Sequence, residues 1–255
     1  MSTEHLRLER SDGVVRLILD RPPLNVLDIP MLERLEGTLA RLADDSGVKL
    51  LVLQGAGRAF CAGVDVADHT AERVELMLET FHRVLRRLLV QEFPVLAVVR
   101  GAALGGGCEL LLACDAVVAA ASAKIGFPEI QLGVFPPVAA ALLPRLIGRQ
   151  RALDLILTGR VMSAEEAREM GLVSRVVSGE ELDRAAQDYV DEIASLSGPV
   201  VRLTKRTVVE GLELPWRGAI ERAEGRYLDE LMRLEDPHEG LAAFLEKRRP
   251  VWRDA

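Results

Sequence analysis

The first part of the chain alternates short apolar runs with segments of helical periodicity. Apolar residues recur at helical spacing over 31–42 and over about 71–90. Four apolar runs are typical of buried strands: 14–19, 49–54, 95–99 and 116–120. Strands that alternate with helices predict an α/β fold with covered sheets, in which ligands lie at the carboxyl ends of strands.

The pattern changes at about residue 149, after which helical spacing dominates and almost no strand pattern remains. The predicted helical segments are 152–157, 164–170, 182–193, 219–234 and 239–247. The sequence Leu-Ser-Gly-Pro at 196–199 interrupts this pattern. We therefore expect a boundary near residue 190, with a core over 1–190 and a helical region over 191–255.

Composition limits the class of protein. The chain has 255 residues, of which 49% are hydrophobic and 28% charged, so it is large enough to bury a core without a metal or disulfide. The N-terminus is charged and lacks the apolar run of a signal peptide. Three cysteines show no zinc-ligand spacing, so we expect reduced thiols in a soluble, cytoplasmic protein with no membrane partner.

The formal charge of −7 weighs against nucleic acid as a main partner. An anionic ligand remains compatible with this charge, because a few arginines and the N–H groups at helix ends bind phosphates on proteins of either sign.

Two glycine-rich loops, 55–65 and 101–107, each follow a predicted strand. Gly105, Gly106 and Gly107 open the predicted helix of Glu109, which favours backbone N–H groups aimed at a developing oxyanion. Tight turns and close packing are the alternative explanation for such glycines. The first loop also approaches a dinucleotide-binding fingerprint, but Phe60 stands at the position of the third glycine.

Two acids are predicted to lie in apolar surroundings, namely Glu109 and Glu129. Paired carboxyls that share a site supply one acid and one base, whereas an arginine beside each acid is the structural alternative. The sequence contains no nucleophile elbow and no metal-binding histidine motif. Among the scattered histidines, His69 or His82 is a candidate for the border of a substrate pocket.

These motifs resemble the crotonase, or enoyl-CoA hydratase/isomerase, superfamily. The resemblance rests on AFCAGVD (59–65), RGAALGGGCEL (100–110), CD (114–115), FPEIQLG (127–133), LTG (157–159) and the tail EGLAAFLEKR (239–248). It implies a spiral core of repeated ββα units, with a C-terminal helical region that builds homotrimers or homohexamers. It also implies an acyl-CoA thioester as ligand.

The resemblance further implies roles for individual residues. The N–H groups of Val64 and Gly106 form the oxyanion hole, Glu109 activates water, and Glu129 protonates carbon or holds the same water. The CoA moiety is expected along Leu24, Ala62 and Val64, with Lys247 reaching it from a neighbouring subunit. No cofactor beyond the CoA of the substrate, and no metal, is expected.

The segment GVFPPVAA (133–140) replaces the proline and small-residue run that is usual in hydratases of this superfamily. With His69 and His82 it resembles the cyclohexa-1,5-diene-1-carbonyl-CoA hydratases. Phe135, Pro136 and Pro137 would then shape a slot for a flat ring. The alternatives are a short-chain enoyl-CoA hydratase, an enoyl-CoA isomerase, a non-catalytic acyl-CoA-binding or RNA-associated relative, and a nicotinamide-dependent reductase.

Overall fold

The computed structural model describes residues 5–254 and shows a mixed α/β architecture. Its strands in chain order are β1 (Leu6–Ser11), β2 (Val14–Leu19), β3 (Leu50–Gly55), β4 (Val95–Val99), β5 (Ala102–Leu104), β6 (Ala116–Ala120), β7 (Lys124–Gly126), β8 (Val161–Ser163) and β9 (Arg175–Val177). The main sheet has the order β1-β2-β3-β4-β6-β9, and a smaller sheet has the order β5-β7-β8. In the main sheet only the β1–β2 pair is antiparallel. The predicted α/β class is therefore confirmed.

The helices are α1 (Ile29–Ala43), α2 (Val74–Val90), α3 (Gly106–Leu112), α4 (Pro137–Ile147), α5 (Arg149–Thr158), α6 (Ala164–Glu169), α7 (Leu182–Ala194), α8 (Gly198–Gly211), α9 (Trp216–Asp229) and α10 (Glu235–Glu246). Short 3-10 helices cover Val66–Asp68, Pro128–Leu132 and Leu231–Arg233. The sequence pattern missed the helices α4 and α8 and the strands β1, β5, β7, β8 and β9. Except for β1, which has six mostly exposed residues, each of those strands has three residues, too few for an alternation to be recognised.

Both faces of the main sheet are buried, as expected for parallel strands. Along β3, Leu51 and Leu53 face the larger core with α1 and α2, while Leu50 and Val52 face a second cluster. Helix α7 covers that second face through apolar residues, namely Leu182, Ala186 and Val190. The helix that contains the predicted boundary at residue 190 thus packs on the sheet.

The smaller sheet brings the two glycine-rich loops together. Cys61 N–H donates to Ala102 O at 3.0 Å, and Leu104 N–H donates to Cys61 O at 3.0 Å. Strand β5 also pairs with β7, after which Gly105 N–H donates to Gly126 O at 2.9 Å. These bonds place the start of α3 beside both the first loop and the segment that follows β7.

The C-terminal helices are attached to the far edge of the core. Lys205 of α8 donates to Asp115 Oδ2 at 2.6 Å and to Phe93 O at 3.0 Å, and Lys49 pairs with Asp254 at 2.7 Å. A largely apolar cleft of about 750 Å³ lies among α7, α8 and α10, with Ile193, Val200 and Leu241 in its lining. Within residues 5–254, no helix combines the length and the apolar character that a membrane crossing requires.

Candidate active site

Glu109 lies in the first turn of α3 and is buried. The preceding Gly105 has φ +52°, a left-handed conformation that glycine adopts without strain, and its carbonyl accepts the Glu109 N–H at 2.9 Å. The carboxyl group is held from a second element, because Ala139 N–H in the first turn of α4 donates to Glu109 Oε1 at 2.9 Å. Hydrogen bonds therefore hold both the backbone of Glu109 and its carboxyl group in place.

Glu129 comes to the same place from the 3-10 helix Pro128–Leu132. A Cβ built on Gly105 would lie 2.8 Å from Glu129 Oε1, so this carboxyl group contacts the glycine that starts α3. Its Oε2 atom is buried and has no hydrogen-bond partner within residues 5–254. A buried carboxyl oxygen without a partner is available to a ligand or a water molecule.

The electrostatics of the two acids are linked. Burial, reinforced by the negative charge of Glu129, raises the pKa of Glu109 to about 7, although the Ala139 N–H opposes this shift. Burial also raises the pKa of Glu129, while its own backbone N–H and the nearby His69 lower it. The pair therefore tends to retain a proton near neutral pH, which gives one acid and one base.

The structure contradicts the alternative in which an arginine neutralises each acid. Among the ion pairs of the described residues, none involves Glu109 or Glu129. Arg21, in the loop after β2, pairs instead with Asp28 and Asp65.

Val64 and Gly106 present N–H groups beside this pair. Leu27 N–H donates to Gly63 O at 2.9 Å and Asp65 N–H donates to Leu27 O at 2.8 Å, so the Val64 N–H points to the opposite side. A Cβ built on Gly106 would lie 3.5 Å from Val64 N. Within residues 5–254, neither the Val64 nor the Gly106 N–H donates to the backbone. The two donors are thus close together and unengaged.

A buried asparagine that the sequence argument missed holds the first glycine-rich loop. Asn25 has φ +55°, and its Nδ2 donates to Ala59 O at 2.8 Å and to Ala56 O at 3.0 Å. Asparagine tolerates this left-handed conformation better than most residues. The sequence signal for this turn was its position two residues after Pro23, the second of two consecutive prolines. The loop that presents Val64 is therefore anchored by side-chain hydrogen bonds.

The residues expected to contact CoA fall into two groups. Ala62 N–H donates to Leu24 O at 3.0 Å, so the loop after β2 runs beside the loop that carries Val64. Lys247 is exposed at the end of α10, in a left-handed conformation. It belongs to the C-terminal helices, whereas the other three residues lie together at the candidate site.

The two histidines differ in their surroundings. His69 is exposed, and its Nδ1 lies 3.0 Å from the carbonyl of Asp65, the residue after Val64. His82 is half-buried on α2, with its Nε2 buried and unpartnered within the described range; burial lowers its pKa. Its neighbour Phe81 reaches the site itself, since a Cβ on Gly106 would lie 3.3 Å from Phe81 Cζ. Phe81 sits on the apolar stripe of α2, so its spacing predicted burial but not this contact.

The Phe-Pro-Pro segment starts a helix. Phe135 is 62% exposed, Pro136 is buried, and Pro137 is the first residue of α4. This helix carries the Ala139 N–H that binds Glu109. The segment thus connects to the candidate site through the backbone of α4, which the sequence did not predict.

Between residues 5 and 254, no group of three or more histidine, cysteine, aspartate or glutamate side chains is arranged to hold a metal ion. The three thiols, Cys61, Cys108 and Cys114, are unpaired.

The family model described as enoyl-CoA hydratase/isomerase matches residues 9–255. The chain belongs to the enoyl-CoA hydratase/isomerase family. This membership confirms the prediction of a crotonase-type enzyme of the hydratase class.

Relatives of this enoyl-CoA hydratase/isomerase family member cover nearly the whole chain. A cyclohexa-1,5-dienecarbonyl-CoA hydratase of Thauera aromatica is 36% identical, over 96% of this chain and 95% of its own. A crotonyl-CoA hydratase of Syntrophomonas wolfei is also 36% identical, over 98% of both chains. The crystal structure of an enoyl-CoA hydratase from Bacillus anthracis superposes with a TM-score of 0.94 at 35% identity, covering 99% of this chain and 100% of the other. The predicted crotonase-like fold is thereby confirmed.

Proposed function

We propose that this protein adds water reversibly across the conjugated double bond of an enoyl- or dienoyl-CoA thioester. The observation that supports this most directly is the pair of carboxyls, the buried Glu109 and the half-buried Glu129, both with raised pKa, beside the N–H groups of Val64 and Gly106. A hydration needs a base for the water, an acid for the carbon and a site for the enolate oxygen. We assign Glu109 to the first requirement, Glu129 to the second and the N–H groups of Val64 and Gly106 to the third.

In the proposed reaction, the thioester carbonyl accepts hydrogen bonds from the Val64 and Gly106 N–H groups. Glu109, as carboxylate, takes a proton from water while the water oxygen bonds to the β-carbon. The electron pair of the double bond moves to the carbonyl oxygen as an enolate, which the two N–H groups stabilise. Collapse of the enolate takes a proton from Glu129 onto the α-carbon. Transfer of the proton from Glu109 to Glu129 through solvent restores both groups.

We propose cyclohexa-1,5-diene-1-carbonyl-CoA as the favoured substrate. The segment Phe135, Pro136 and Pro137 and the Thauera relative support this choice. The alternative is a short-chain enoyl-CoA, which the Syntrophomonas relative favours at the same identity.

Isotope incorporation tests the reaction and the substrate together. The purified protein is incubated in H₂¹⁸O with crotonyl-CoA or with cyclohexa-1,5-diene-1-carbonyl-CoA, and the thioesters are followed by mass spectrometry. Efficient ¹⁸O uptake into the ring substrate alone is the expected result. Uptake into crotonyl-CoA with equal or higher efficiency would contradict the ring preference. A shift of the double bond without uptake would indicate an isomerase, and CoA binding without turnover a non-catalytic relative.

The protein as a whole is proposed to be a cytoplasmic homotrimer or homohexamer that uses no cofactor beyond the CoA of its substrate. The exposed apolar side chains of α8 to α10 and the apolar cleft beneath them support assembly through the C-terminal helices, residues 191–255 in the proposed division. In such an assembly, Lys247 of one chain would reach the CoA bound to another. The unpaired thiols support a reducing compartment.

A further inference from the structure

Helix α4 begins with two consecutive prolines directly against Glu109. Pro136 precedes the helix in an extended conformation, with φ −79° and ψ 106°, and Pro137 occupies the first helical position. Proline is favoured there because its fixed φ suits a helix and because the first helical N–H has no intrahelical partner. The two prolines therefore define where the helix starts and in which direction it leaves.

This start determines which backbone donors face Glu109. Pro137 has no N–H, and the Ala140 N–H closes the turn by donating to Pro136 O at 2.9 Å. The N–H groups of Val138 and Ala139 remain, and both favour the ionised form of the Glu109 carboxyl. The Ala139 bond to Oε1 is 2.9 Å long and buried. Buried charge-assisted bonds of this kind are among the stronger hydrogen bonds in proteins.

We infer that Pro136 and Pro137 are positioning residues: they fix the first turn of α4 as a donor site that orients the Glu109 carboxylate and keeps it ionised, so that it is available to take the proton of water. This inference rests on the proposed function, in which Glu109 is the base. The prolines act through the backbone of Val138 and Ala139 and need no contact with the substrate.

The other groups around Glu109 do not supply this stabilisation. Glu129, on the 3-10 helix, raises the pKa of Glu109 through its negative charge. The thiol of Cys108, on α3, has its own pKa raised by burial and stays neutral. The first turn of α4 carries no acidic side chain. Backbone N–H groups are therefore the groups that oppose the effect of burial.

Deleting a single N–H tests the inference. Lactic acid incorporated in place of Ala139 replaces that N–H by an ester oxygen and leaves every side chain intact. Without the N–H the Glu109 pKa rises, so we expect the acid limb of the kcat/KM profile to move up by about one pH unit, with KM within about twofold. The matched control is the same ester at Ala141, farther along the same helix, whose N–H is not among the donors to Glu109. This control should leave the limb in place.

Substitution of the prolines provides a second measurement. Pro137→Gly loosens the first turn and should move the acid limb in the same direction, by less than the ester at Ala139. Pro144→Gly, near the other end of the same helix, should not move it. The inference would be overturned if the control ester moved the acid limb as far as the ester at Ala139, or if Pro144→Gly moved it as far as Pro137→Gly. It would also be overturned if an active enzyme with the ester at Ala139 showed no shift of the limb.

A spectroscopic titration separates this inference from the proposed function. The protonated carboxyl band of Glu109, assigned by its loss in Glu109→Gln, is followed by infrared difference spectroscopy against pH. The ester at Ala139 should raise the midpoint of this titration even if no hydration is observed. An unchanged midpoint would overturn the inference, whereas absence of hydration with all thioesters would overturn the proposed function.

Discussion

The main sheet and the C-terminal helices bury their apolar side chains to very different extents. In β3 and β4, apolar side chains on both faces of the sheet are covered by helices of the same chain. In the C-terminal region, Leu212 and Phe244 are each 82% exposed and Leu245 is 81% exposed. The glutamates of the candidate site thus lie in a core whose apolar side chains are covered within one chain. The C-terminal helices leave apolar side chains exposed, as surfaces that bind another protein do.

The largest expected effect comes from the acids of the core. Glu109→Gln or Glu129→Gln removes a proton-transfer group while leaving a side chain of nearly the same shape. We expect kcat to fall by about two to four orders of magnitude, with thioester binding retained. Steady-state kinetics and equilibrium titration with a non-reactive acyl-CoA measure the two quantities. The control Glu213→Gln, on an exposed C-terminal position, should behave as the unmodified protein.

A somewhat smaller decrease in kcat is expected from a substitution beside the N–H donors of Val64 and Gly106. In Gly106→Ala, the added Cβ would lie 2.7 Å from Val64 Cγ2 and 3.5 Å from Val64 N, which crowds the space for the thioester oxygen. Alanine retains the backbone N–H, so the substitution displaces the donor and does not delete it. Deletion of an oxyanion donor typically lowers kcat by about 10² to 10³, and we expect a decrease up to that size. Gly225→Ala, where the added Cβ meets nothing within 4 Å, is the matched control. Equal kcat for the two variants would remove Gly106 from the mechanism.

Stability should respond in the opposite direction to activity. Because the Glu109 pKa rises from 4.5 to about 7 on folding, ionising this carboxyl destabilises the native protein as the pH increases through that range. Glu109→Gln stays neutral and should be more stable than the unmodified protein by about 2–3 kcal/mol at pH 8. Near pH 4 the difference should be small. Urea unfolding at fixed protein concentration measures both values, and a variant of lower stability at pH 8 would contradict the expectation.

The smallest effect on the fold is expected from the exposed apolar surface of the C-terminal helices. Leu212→Glu should change the free energy of unfolding of the separated chain by no more than about 0.5 kcal/mol, while reducing the mass of the assembly in light scattering. Val90→Glu, at a position 72% exposed on α2 of the core, serves as control and should keep that mass. An unchanged mass in Leu212→Glu would argue against assembly through that surface.

The sequence predicted those parts of the molecule whose signals are local. Strands β2, β4 and β6 have the predicted bounds, because apolar runs of five or six residues, interrupted only by Arg16 in β2, mark strands that are buried on both faces. Glu109 and Glu129 were singled out because acids are rare in apolar segments. Their proximity has no local signal: Glu129 contacts Gly105, which starts the helix of Glu109, and the β5–β7 pairing holds that arrangement.

The missed elements have identifiable physical reasons. In α4 the two prolines and the run of small apolar residues hide the helical period, although proline is favoured where a helix starts. The Ala139 N–H was invisible for the same reason, since a backbone donor becomes a partner of Glu109 only once the helix start is placed. Asn25 acts through a left-handed backbone and three carbonyl acceptors of a distant loop.

The parallel bridge between Leu27 and Val64 has an evolutionary consequence. It presents the main chain of residue 64 to the site. The backbone N–H that is proposed to bind the thioester carbonyl is therefore retained when that side chain is replaced. The side chain itself contacts the neighbourhood of Gly106, where a different size would alter the room for an acyl group. Substitutions at residue 64 would therefore change which acyl groups fit, while the hydrogen bond from its N–H to the carbonyl is retained.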